Sequence, residues 1–189
     1  FLSKEQATKL YENATAILTA YYNLETYEQV FSWHHAAGDF VVNLDTAEPR
    51  VKLITVRRYE RLLKQTDDDI VAIANALLLF LLNISIRMRI DRIDGVGEIS
   101  WIDDFAIEGS LKGFFKGLRL ATMKAAIPVT FVDTFKAFLK GIPDEDFFNL
   151  FEAIMSRMGV TNPDQAVVKS HLKNHTNVFL KMMPGILDP

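Results

Sequence analysis

The stretch from Asp69 to about Arg92, DIVAIANALLLFLLNISIRMRIDR, constrains this chain more than any other. No charge falls between Ile70 and Ile86, and apolar residues occupy every side of the helix that this run would form. A helix apolar all round is either a central core helix or a membrane span. Ile70–Ile86 reaches only the short limit of a span. It also contains Asn75 and Asn83. A buried core helix is the preferred reading, and a membrane partner is the weaker one.

The remainder reads as amphipathic segments able to wrap that helix. Ser3 and Gln6 form a capping-box pattern ahead of a first helix at about 4–22. Thr26 with Gln29 repeats the pattern ahead of a second, at about 27–37, carrying Val30, Phe31 and Trp33 and stopping at Gly38. The period then changes. FVVNL (Phe40–Leu44) and RVKLITV (Arg50–Val56) are β-branched runs joined by a longer loop, which predicts a β-hairpin. Arg57 to Gln65 follows as a short helix. Thr66 with Asp69, helped by the acids at Asp67–Asp69, caps the apolar helix. Its far end is ambiguous, because SIRMRIDRID alternates like a strand while Ile86, Ile90 and Ile93 share a helical face. Helix to about Asp91 is expected, followed by a loop tethered by Trp101 and Ile102.

The next predicted helix, about 107–127, has small residues at every fourth position: Gly109, Gly113, Gly117, Ala121 and Ala125. Glycine in a helix interior costs about 1 kcal/mol relative to alanine. Close approach of a second backbone is the usual compensation. Ala72 and Ala76 of the apolar helix share that spacing, so the two helices are expected to cross there. Pro128 ends the glycine helix. Thr130 with Asp133, Pro143 with Asp144–Asp146, and Asn162 with Pro163 open three more, ending at Gly141, Gly159 and Pro184. The fold expected is all-α: one helical domain over 1–189, with about eight helices bundled around the apolar helix and one β-hairpin near 40–56.

With 189 residues and 49% apolar content, the chain can bury a full core and is not a disordered one. The absence of cysteine removes disulfides, thiol catalysis and cysteine metal sites, and fits a reducing, intracellular compartment. His171 and His175 are four apart and could share a metal, but no third ligand is indicated and no H-E-x-x-H occurs. His34 and His35 are adjacent and diverge on a helix. GVGEIS at 95–100 lacks the third glycine and the βαβ setting of a dinucleotide site. No cofactor or metal is expected, and no catalytic constellation is visible.

Three functional readings follow. The first is a non-enzymatic interaction or self-assembly subunit whose edge hairpin adds to a neighbouring sheet. The second is a nucleic-acid-coating protein. Its groove would be lined by Arg57, Arg58, Arg61, Arg87, Arg89, Lys112, Lys116 and Arg119, although the net charge of −3 gives no general attraction to phosphate. The third is a binder of an apolar small molecule beside the central helix, near Phe80, Phe114 and Phe115.

Overall fold

The computed structural model describes residues 2–31, 33, 38–46, 48–61, 70–92, 97–125, 127–128, 130–157 and 162–188. Among these, the chain forms six helices and three small antiparallel strand pairs. The molecule is mostly helical, but the expected eight-helix bundle with one hairpin is not what it adopts.

The first helix, α1 (Lys4–Ala20), starts where its cap requires. The Gln6 N–H donates to Ser3 Oγ, and the Ser3 N–H donates to Gln6 Oε1. The expected second helix is replaced by a strand, β1 (Glu28–Phe31). The reason lies just upstream. Asn23 Oδ1 accepts from the Glu25 and Thr26 N–H groups, and Tyr27 adopts a left-handed φ of 58°. That turn absorbs Thr26 and sends an aromatic, β-branched run out extended. Its partner is β4 (Arg58–Arg61), in the segment expected as a short helix, with Val30 opposite Tyr59. All four side chains of β4 are exposed, and its charges suit an edge strand.

The expected hairpin is present as β2 (Phe40–Asn43) paired with β3 (Arg50–Leu53). The cap assigned to Thr66–Asp69 lies outside the described residues. The apolar run forms α2 (Ile70–Arg87), which is long and apolar enough to cross a membrane, yet 61% of it is buried inside the protein. Helix to Asp91 was too long by one turn. The alternation after Arg87 instead forms β5 (Ile90–Arg92), paired with β6 (Ile99–Trp101) inside the expected loop.

Four helices complete the chain: α3 (Phe105–Lys124), α4 (Phe131–Lys140), α5 (Asp144–Arg157) and α6 (Asn162–Leu187). Pro184 does not end α6, which runs one turn beyond it. A single apolar cluster joins α1 to all five other helices through residues such as Leu18, Leu81, Phe114, Phe135, Phe151 and Phe179.

The glycine ridge meets a different partner from the one expected. A Cβ built on Gly109, Gly113 or Gly117 would strike Thr8, Glu12 and Ala16 of α1 respectively, each at the backbone carbonyl oxygen. Ala72 and Ala76 of α2 are not the nearest groups at any of the three. The physical reason is that α1 offers its own small face, Thr8, Thr15, Ala16, Thr19 and Ala20, alongside. Half of the residues of α2, by contrast, are leucine or isoleucine, whose bulk keeps a second backbone at a distance. The α1–α3 seam therefore fixes one wall of the molecule, with β3 packed on α1 and β6 packed on α6.

Candidate binding cleft

A half-open cleft of about 1260 Å³ lies beside α1. Its apolar wall comes from Ala7, Leu10 and Ala14 of α1 and from Phe40, Val42 and Val51 of the hairpin. The helical spacing of 7, 10 and 14 and the alternation of the hairpin strands put these side chains on facing surfaces. The opposite wall is polar and aromatic. It is built by the β5–β6 pair and its flanks, with Arg89, Asp91, Trp101, Asp103, Asp104 and Phe105, and by His171 and Asn174 of α6.

Trp101 organises that wall. Its ring stacks on His171, with centroids 4.9 Å apart and planes 6° from parallel. The Arg89 guanidinium also lies 4.9 Å from the Trp101 ring, at cation–π distance. Arg89 is 3% exposed; its Nε donates to the Ile102 carbonyl at 2.7 Å and its Nη2 to Asp104 Oδ1 at 3.0 Å. Burial pushes the Arg89 pKa down, and the Asp104 carboxylate works against that shift. Tyr11, on the α1 side, has its pKa raised by burial and by the Asp91 carboxylate.

Behind Trp101 lies His175, fully buried. Its ring meets Trp101 and Phe151 edge to face. The Ser85 hydroxyl donates to the Leu82 carbonyl at 2.8 Å, and Ser85 Oγ lies 3.2 Å from His175 Nε2. Which partner donates across the Ser85–His175 contact depends on the tautomer of the ring. Burial, and next the Arg89 charge, lower the His175 pKa to about 3, so the ring is neutral at physiological pH. Three buried polar atoms in this one cluster have no hydrogen-bond partner among the described residues: Arg89 Nη1, Trp101 Nε1 and His175 Nδ1.

The histidine pair four apart does not form a metal site. His171 lines the cleft while His175 is sealed behind it, and no metal-holding group of three ligands occurs among the described residues. His34 and His35 lie outside those residues.

The basic residues fall into separate groups. Arg57 pairs with Asp39, Arg58 with Glu60, and Arg61 with Glu28. Arg58 and Arg87 both lie over the Phe31 ring, at 5.6 and 4.8 Å, and Arg87 also donates to Asn83. Lys112 pairs with Glu108, and Lys116 reaches Glu12 and Asn13 across the α1–α3 seam. Arg119 is exposed on α3. Arg89, being buried, belongs to the cleft wall and not to an open phosphate groove.

Phe80, Phe114 and Phe115, expected beside a ligand pocket, are instead closed core. Their rings pack on one another at 6.2 and 5.2 Å. Of the residues that do line the cleft, the sequence marks Arg89 as part of a basic groove, Trp101 as a loop tether and His171 as half of a histidine pair. Tyr11, Phe40 and Asp91 carried no signal, because each comes from a different element. No family model matches the chain, and neither a curated protein nor a solved structure does.

Proposed function

We propose that this chain is a non-enzymatic binding protein that takes an apolar small molecule in the cleft between α1, the β2–β3 hairpin and the Trp101 wall. One observation carries the reading: the cleft joins an apolar wall from α1 and the hairpin to a wall where Trp101 stacks on His171 and Arg89 is held by Asp104. Ligand sites are usually concave, mostly apolar and provided with a few placed polar groups. The volume, about 1260 Å³, is ample for a ligand of drug size.

The test uses the intact protein. Native mass spectrometry of freshly purified material should show a co-purified small molecule, and the neutral dye Nile red should bind. Val51→Trp, which puts an indole into the cleft, should abolish dye uptake without changing the helical circular-dichroism signal. A bare mass together with no dye uptake would end the proposal.

A second reading, self-assembly, is favoured by the hairpin. Val41, Leu44, Ile54 and Val56 are all exposed on or beside it, and its sheet contains only β2 and β3 among the described residues. Exposed apolar strands with free edges are suited to adding to a second sheet. Light scattering at high concentration should then give an oligomer that Ile54→Lys dissociates. A strict monomer would dismiss this second reading.

A further inference from the structure

We infer that two copies of this chain join through the outer edge of β2, antiparallel about a two-fold axis at Val41, and that assembly stops at the dimer. This rests on the self-assembly reading above and names its partner, strand and symmetry. The hydrogen bonds of the hairpin identify the edge. The Ile54 N–H donates to the Asp39 carbonyl at 2.9 Å, so Asp39 and Ile54 form a hydrogen-bonded pair. Such pairs alternate with non-bonded ones along an antiparallel ladder. Val41–Lys52 and Asn43–Arg50 are therefore hydrogen-bonded too, while Phe40 and Val42 turn their N–H and C=O groups away from β3. The same alternation holds on the other strand. The Pro49 carbonyl points away from β2 and accepts from Asn13 of α1 at 2.8 Å. The β3 edge thus lies against α1, and β2 presents the open one, with no further strand in this sheet among the described residues.

The chemistry of β2 selects a second copy as the occupant. Its residues, Phe40–Asn43, carry no charge, whereas β3 holds Arg50 and Lys52 and β4 holds Arg58 and Arg61. Charge on an edge strand resists pairing, and an uncharged edge permits it. Asn43 limits the register. Its Oδ1 accepts from the Asp45 N–H, which turns the chain out of the strand and confines pairing to Phe40–Asn43. Matching that strand antiparallel with itself, Phe40 to Val42 of the second copy, brings Val41 opposite Val41. Each Phe40–Val42 pair then exchanges both of its N–H···O bonds. The exposed, β-branched Val41 side chains meet across the axis, and Asp39 faces Asn43 and not another acid. The strand order becomes β3–β2–β2–β3 with α1 beside each outer strand, so this sheet keeps no edge for a third copy.

Light scattering of the intact protein at high concentration should give twice the chain mass and no larger species. The chain lacks cysteine, so single cysteines report the contact without interference. Val41→Cys should cross-link to a covalent dimer under mild oxidation, because residues opposite each other in a non-hydrogen-bonded pair lie about 4.5 Å apart at Cα, within disulfide reach. Lys52 is also exposed but lies one strand further out in each copy, roughly 14 Å from its mate by three strand spacings. Lys52→Cys should therefore stay unlinked. Val42→Pro removes an N–H that points out of the hairpin, a position where an edge strand tolerates proline. It should weaken the dimer about tenfold or more, since one hydrogen bond is lost from each copy. Because that variant could disturb the hairpin, the two cysteine variants are the deciding measurement. A dimer in which Val41→Cys cross-links no faster than Lys52→Cys, or larger assemblies that grow with concentration, would overturn the edge pairing and leave the self-assembly reading standing. A strict monomer would remove both.

Discussion

Gly113 packs against the backbone carbonyl of Glu12 with space for a hydrogen atom and none for a methyl group. Gly109 and Gly117 repeat the relationship one turn away on either side, against Thr8 and Ala16. The obstacle at each is backbone, which cannot rotate aside as a long side chain would. Gly113→Ala should therefore destabilise the protein by about 1–3 kcal/mol despite alanine's better helix propensity. Gly185 provides the contrast, since it is also helical but has nothing within reach of an added Cβ. Gly185→Ala should be neutral or stabilising by up to about 1 kcal/mol. Urea unfolding of the two variants checks the pair, and equal midpoints would mean that the α1–α3 seam is looser than described.

His175 should make stability depend on pH, and above about pH 5 the carboxylates are mostly silent. Its folded pKa is about 3, against the usual 6.5. Between those values the unfolded chain binds a proton that the folded chain does not, so stability rises with pH. The contribution is complete above about pH 6.5 and drains away as pH falls toward 3. Lowering the pH from about 7.5 to about 5 should cost about 2 kcal/mol from this residue. His175→Phe should flatten the slope by that amount. Identical slopes for both proteins would show that the ring is not sealed.

Ser85→Ala would leave His175 Nε2 without its Ser85 partner in a buried ring whose Nδ1 already has no partner among the described residues. A cost of about 1–3 kcal/mol is expected. Ser156 makes the same kind of bond to a carbonyl three residues back, but at the surface. Ser156→Ala should change stability by less than about 0.5 kcal/mol. Thermal melts of both variants would separate the buried pair from the local one.

Asp104→Asn removes the carboxylate that matches a buried guanidinium. Asp104 itself is half-exposed, so solvent compensates in part, and a loss of about 1–3 kcal/mol is expected. Lys140 and Asp188 also pair, but both are exposed. Asp188→Asn should cost about 1 kcal/mol or less. Chemical denaturation at matched salt would test the ranking, and the reverse order would refute it.

The legible parts of the fold were those specified by local chemistry. The Ser3–Gln6 cap, the uncharged run of α2, the hairpin at 40–53 and the acids opening α5 each announce themselves within a few residues. The misreadings share a cause. Val30–Trp33 and Arg57–Gln65 are short runs whose spacing suits helix and strand alike. Pairing between β1 and β4, about thirty residues apart, settled Glu28–Phe31 and Arg58–Arg61 as strands, because each satisfies the other's backbone. Likewise β5 takes its extended form through pairing with β6, residue for residue from Ile90–Trp101 to Arg92–Ile99.

The sequence alone determined that an uncharged helix would be buried and that three glycines would invite a close neighbour. Both follow from what water does to apolar surface and from what a missing Cβ permits. Which neighbour came close was decided in three dimensions, where α1 and not the Ala72–Ala76 face of α2 lies against the glycines. The cleft, too, belongs to the tertiary structure. Tyr11, Phe40, Arg89, Trp101 and His171 come from five separate stretches, and no spacing along the chain encodes their meeting. The burial of Arg89 and of the Trp101 N–H is likewise a product of packing between elements, which no local run of residues specifies.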